Sequence, residues 1–206
     1  AHGAAAGDRG VIDAQTDDRA GRINGRVPDI VTGALALHAR GLDVVRLTPR
    51  SKRPIGDDWP ATRYEDETAI VEAFGDNENV GVLLGGGIAD VDLDSPEALR
   101  LAAHLLPATE SVHGRPSARA SHRWYSYPET ATLPTRRYRD PTGAVLLELR
   151  ADRTDGRRGL QTMAPPSTHP DGEALVWEID GDPGEVEEQP AAGVAKGLDR
   201  VYVGLK

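Results

Sequence analysis

An α+β fold with a mostly antiparallel sheet is what this sequence predicts, on three observations. Two stretches read as helices, one from Asp29 with apolar residues at helical spacing and a glycine stop, and one from Ser95 with a clear opening signal. The second half is a series of short runs of strand character separated by Gly, Pro and Asp, which reads as antiparallel sheet. No internal repeat appears, so the order of elements sets the class. At 206 residues and 22.0 kDa the chain fits one domain with tails, and two full domains would be cramped. Hydrophobic residues at 38% against 28% charged allow a lean core, and 23 Gly with 15 Pro imply many loops.

Residues 1–27 are rich in Gly, Ala, Asp and Arg without an apolar period and read as a tail or linker. The ordered domain is expected over 28–180. From Asp29 the run IVTGALALHAR is helical and stops at Gly41, a residue suited to a left-handed helix end. LDVVRLT (42–48) reads as a buried strand, PRSKRPIGDDWP as a basic, turn-rich loop, and Glu65–Phe74 as a second helix. Runs 79–84 and 88–94 flank Gly85, Gly86 and Gly87 and together suggest a hairpin. Ser95, Pro96 and Glu97 supply a capping hydroxyl, a first-turn proline and an acid against the positive helix end, so a helix runs from there to about Leu106. ESVHG, HRWYSY, VLLELRA, LQTMA and ALVWEI then follow as strands. Residues 181–206 form an acidic extension, with GLDRVYVGLK either a terminal strand or the lead-in to a further domain.

Composition excludes several chemistries. With no Cys there is no disulfide framework, thiolate zinc site or cysteine nucleophile, so a metal would need oxygen or imidazole ligands. No apolar run approaches the roughly 18 to 20 residues of a membrane span, and AHGAAAG lacks the layout of a secretory signal. A cytoplasmic protein without membrane partners is the expectation. The formal charge of -9 and pI near 5.1 speak to solubility and leave a local cationic groove possible.

The chemistry concentrates in Asp90-Val91-Asp92-Leu93-Asp94, directly before the Ser95 cap. Strand side chains alternate, so three carboxylates share one face. Like charges this close raise one another's pKa, and a divalent cation relieves that cost. Mg²⁺ or Mn²⁺ is the natural ligand, and a solvated edge strand is the bland alternative. Glu148 interrupts the apolar strand VLLELR and faces either a site or a salt bridge. Between these acids, Arg115, Arg119, His122 and Arg123 occupy a segment suited to phosphate oxygens. Arg136, Arg137, Arg139, Arg153, Arg157 and Arg158 add positive charge in the same half, opposite Asp182, Glu185, Glu187 and Glu188. That asymmetry suits a groove for a nucleic-acid backbone.

In order along the chain, these motifs resemble the bifunctional DNA primase/polymerase domain of the archaeo-eukaryotic primase superfamily. The matching segments are Ser51-Lys52-Arg53-Pro54 with Trp59, the Gly85–Gly87 turn, Asp92-Leu93-Asp94, Ser121-His122, Glu148 and Ala164-Pro165-Pro166-Ser167. The resemblance spans about residues 30–180. It implies an archaeo-eukaryotic primase-like fold, an RRM-like mostly antiparallel sheet flanked by helices. It also implies template-dependent nucleotidyl transfer from nucleoside triphosphates with two divalent ions, Mg²⁺ or Mn²⁺. Asp92, Asp94 and Glu148 would be the catalytic metal ligands, with Asp90 assisting. The pair Asp90/Asp92 is the other possible Asp-x-Asp, and counting from the glycine turn favours Asp92 and Asp94. Ser121, His122, Arg123 and Arg115 would bind the nucleotide, and Lys52, Arg53, Arg157 and Arg158 the single-stranded or primed DNA template. A helicase domain, in the same polypeptide or in trans, is a partner the resemblance allows. Two departures stand out: Glu148 replaces the Asp of many relatives, and Arg-Pro-Ser-Ala-Arg-Ala replaces a glycine-rich approach to the histidine. Without Cys, no zinc is expected. The competing readings are a metal-dependent nuclease or phosphatase, and a non-catalytic module binding single-stranded DNA or nucleotides. The second of these has few aromatics, 4%, on which to stack bases.

Overall fold

The computed structural model describes residues 29–153, 155, 159–186 and 197–203. The tail expected over 1–27, and Arg157 and Arg158, lie outside the described residues. Helix α1 (Asp29–Ala39) buries Ile30, Val31, Ala34 and Leu37 along one stripe. It stops as its sequence requires: Gly41 has φ 75°, its N–H reaches the His38 carbonyl at 2.8 Å, and the Leu42 N–H reaches that of Leu37 at 3.2 Å. This paired closure satisfies carbonyls that a helix end leaves open. Helix α2 (Glu67–Ala73) starts where the Asp66 carboxylate accepts from the Ala69 N–H at 2.9 Å. Helix α3 (Pro96–Leu105) starts likewise at Ser95, whose hydroxyl accepts from the Ala98 N–H.

The strands form two sheets. β1 (Val44–Leu47), β2 (Asn79–Leu84) and β8 (Leu160–Ala164) make a three-stranded antiparallel sheet with β2 in the middle. The larger sheet runs β6 (Arg136–Arg139), β7 (Val145–Arg150), β3 (Ile88–Leu93), β5 (Ala118–Ser126), β4 (Ser111–Arg115), β9 (Val176–Asp180). Here β10 (Gly184–Glu185) adds to β5 in parallel and supplies the seventh strand. The architecture is thus α+β and mostly antiparallel.

The hairpin expected from residues 79–94 does not form, because β2 and β3 belong to different sheets. Gly85, Gly86 and Gly87 all take positive φ (87°, 58° and 112°), and the chain turns a corner there rather than folding back on itself. Asp152 secures the corner: its Oδ1 accepts from the Gly86 N–H at 2.9 Å, while Oδ2 accepts from the Tyr127 hydroxyl and the Leu133 N–H.

Alternation in β3 sorts its side chains. Ala89, Val91 and Leu93 enter a core with Leu147, Leu149, Tyr125 and the α3 residues Ala98 and Ala102. Asp90 and Asp92 therefore point to the opposite face. On that face Trp124 joins Val80, Val82, Ala164, the buried stripe of α1 and Ile70 of α2 in a second core. The expected boundary at residue 180 does not end the packing. Val186 belongs to the first core, and residues 197–203 form a helix, not a strand, that adds Leu198 and Val201 to it. Among the described residues no helix is long and apolar enough to cross a membrane.

Candidate active site

Strand register brings the predicted residues into line. Asp92 on β3 lies directly opposite Glu148 on β7 and His122 on β5. His122 in turn pairs with His113 on β4, and Glu148 with Arg137 on β6. One row thus crosses the sheet in the order Arg137, Glu148, Asp92, His122, His113, all on the face away from α3. Asp94 follows just beyond the end of β3, where its N–H donates to the Leu146 carbonyl at 3.0 Å.

Asp90 does not act with the other two aspartates. Its carboxylate is fully buried and already engaged: His122 Nδ1 approaches to 3.0 Å, the Thr162 hydroxyl donates at 2.7 Å and Arg150 stands 3.7 Å away. Burial by itself pushes this carboxyl up, but His122 and Arg150 outweigh it and hold the pKa at about 2. Ionised Asp90 accepts only, so Nδ1 of His122 carries the hydrogen and Nε2 is turned toward Asp92, 3.7 Å from its Oδ1. Asp90, expected to assist at a metal, is placed away from the cleft lining, where its carboxylate orients His122 and ties β3 to Thr162 of β8. Burial lowers the pKa of His122, but Asp90 and Asp92 raise it by more, favouring the imidazolium. His113 stacks on the His122 ring with centroids 4.7 Å apart and meets Trp124 and Trp177 edge-on, which fixes the imidazole plane.

A cleft of about 210 Å³ opens between the two sheets beside this row. Asp92 and Asp94 line one side of it; Lys52, Arg115, His122, Arg150 and His169 supply basic lining, Ser121, Gln161 and Thr162 neutral polar lining, and Met163 and Leu175 the apolar wall. Arg115 is held through Nε by Glu173 and Ser117, each at 3.3 Å. Arg123, expected beside His122, is not brought to the cleft. Neighbouring strand residues face opposite ways, and Arg123 pairs across the back face with Val91 and Val112. Arg53 is exposed and does not line the cleft; its carbonyl closes the 48–53 turn with Thr48. Arg119 is drawn outward to Glu178.

The family model described as bifunctional DNA primase/polymerase, N-terminal, matches residues 34–192. The chain belongs to that family. No match is found among curated proteins. At the family level the activity is DNA primase/polymerase nucleotidyl transfer, with DNA and nucleotides as substrates.

A primase/polymerase site implies divalent cations, and the donor set fits them in chemistry. Asp94 is held up at about 6, first by burial and then by the charges of Asp92 and Glu148. A hard cation relieves that repulsion. The third acid is less ready: Glu148 lies on the same face, but its Oε1 accepts from Arg137 Nε at 2.8 Å. Among the described residues no group of three His, Asp or Glu side chains is arranged to hold an ion as it stands. Sequence reasoning missed Arg150, Thr162 and His169. Of these, Arg150 was legible, since it lies two residues beyond Glu148 and so shares its face. Thr162 and His169 reach the cleft only because β8 and the 164–169 segment fold back over the large sheet.

Proposed function

We propose that this chain is a template-dependent DNA primase/polymerase that transfers nucleotides from nucleoside triphosphates. The observation that carries the reading is the row Glu148, Asp92, His122 beside a cleft whose acids oppose a wall of cations. Asp92, Asp94 and Glu148 would hold Mg²⁺ or Mn²⁺, which when bound activates the attacking hydroxyl and neutralises the leaving pyrophosphate. The cationic imidazole of His122, held by Asp90, donates from Nε2 to a phosphate oxygen. Arg115, Lys52 and Arg150 offer further charge-assisted donors, and fixing the triphosphate in one orientation lowers the entropic part of the barrier.

The test is primer extension with a primed template, nucleotides and Mn²⁺. Asp92→Ala and Asp94→Ala are each expected to abolish extension while keeping the unfolding transition, and His122→Ala to weaken nucleotide binding. Undiminished extension by both aspartate variants would refute the assignment, and shortening of the primer by the unaltered protein would establish a nuclease instead.

A further inference from the structure

Glu148 occupies the register position of a third cation ligand, opposite Asp92, but it is tethered. Arg137 sits across from it on β6, an edge strand of the large sheet, and donates through Nε to Oε1 at 2.8 Å. The glutamate side chain is 13% exposed and the arginine 56%. One partner is thus held by the sheet while the other has solvent to swing into. We propose that Arg137 is a positioning residue that holds Glu148 while no cation is bound and competes with the divalent ion for that carboxylate. This rests on the reading of Asp92, Asp94 and Glu148 as the ion's ligands.

Two effects set the direction. The guanidinium takes up one carboxylate oxygen, and its charge lies next to a site meant for a doubly positive ion. Ion pairs exposed on one side are weak, so a divalent cation gathering three carboxylates displaces this one. While the ion is away, Arg137 neutralises one of three acids that share a face. The glutamate stem, with three rotatable bonds, gives the carboxylate room to move between arginine and ion.

Mn²⁺ binding to the full chain, followed by electron paramagnetic resonance of the free ion, tests this without reference to turnover. Arg137→Gln is expected to bind Mn²⁺ about two- to fivefold more tightly, the range that an exposed pair of this kind supports. Glu148→Gln is expected to bind more weakly, and Arg137→Gln added to it to give little further change, because Arg137 acts through that carboxylate. Unchanged or weaker binding by Arg137→Gln would overturn the proposal, as would an equal gain in the Glu148→Gln background, which would make Arg137 a bystander charge. Absence of Mn²⁺ binding by the unaltered chain would overturn the ligand assignment itself. Binding that Glu148→Gln leaves intact would remove Glu148 from the ligands and overturn this proposal with it, while leaving Asp92 and Asp94 in place.

Discussion

Replacing Asp90 with alanine separates the two roles proposed within one strand. The Asp90 carboxylate is fully buried, with His122 Nδ1 at 3.0 Å, the Thr162 hydroxyl at 2.7 Å and Arg150 at 3.7 Å. Removing one partner of a buried, hydrogen-bonded ion pair costs about 3–5 kcal/mol, because the other charge is left without compensation. The Thr162 hydroxyl also loses its acceptor, a loss of about 1 kcal/mol. A destabilisation of about 4 kcal/mol is a large share of the roughly 5–15 kcal/mol typical of a domain. It corresponds to a fall in Tm of about 8–16 °C for a chain of this size. Asp92→Ala is the control: this side chain lines the cleft, and its removal relieves repulsion on Asp94, so stability is expected within about 0.5 kcal/mol of the unaltered protein. Denaturant unfolding near neutral pH without divalent ions measures both. If Asp90→Ala loses less than about 1 kcal/mol, or Asp92→Ala loses as much as Asp90→Ala, the division between an orienting and a ligand aspartate is wrong.

Two further outcomes follow from the packing. Burial first, and then the charge of His122, hold His113 well below its ordinary 6.5, so near pH 6 the unfolded chain takes up a proton there that the folded chain refuses. Stability from this group is complete above about pH 6.5 and is lost as pH falls below it. His113→Phe keeps a ring in the aromatic cluster and should flatten that acid-side loss; parallel curves of stability against pH for the two proteins would refute it. Gly33 lies in α1 where an added Cβ would come 2.3 Å from Pro166 Cδ. Gly33→Ala is therefore expected to lower Tm, since overpacking at about 1–3 kcal/mol outweighs the gain of about 1 kcal/mol in helix propensity; a higher Tm would show that Pro166 gives way.

Local chemistry made much of this protein legible from its sequence. The Schellman closure at Gly41, the Ser95 cap and the alternation of β3 each depend on residues a few positions apart, so the helices and the acidic face were readable before any coordinates. His122 and Glu148 were legible as motif residues, and the same alternation that placed His122 at the cleft turned Arg123 away from it. Tertiary structure decided what depended on distant partners. Three glycines permit either a hairpin or a corner; Asp152, and the pairing of β2 with β1 and β8 and of β3 with β5 and β7, selected the corner. Asp90 and Asp92 look alike in the chain, two residues apart on one strand. Only the approach of Thr162 and Arg150 to Asp90 divides them, because burial with satisfied hydrogen bonds makes a carboxylate structural, whereas a cleft lined by other acids leaves it free to bind a cation.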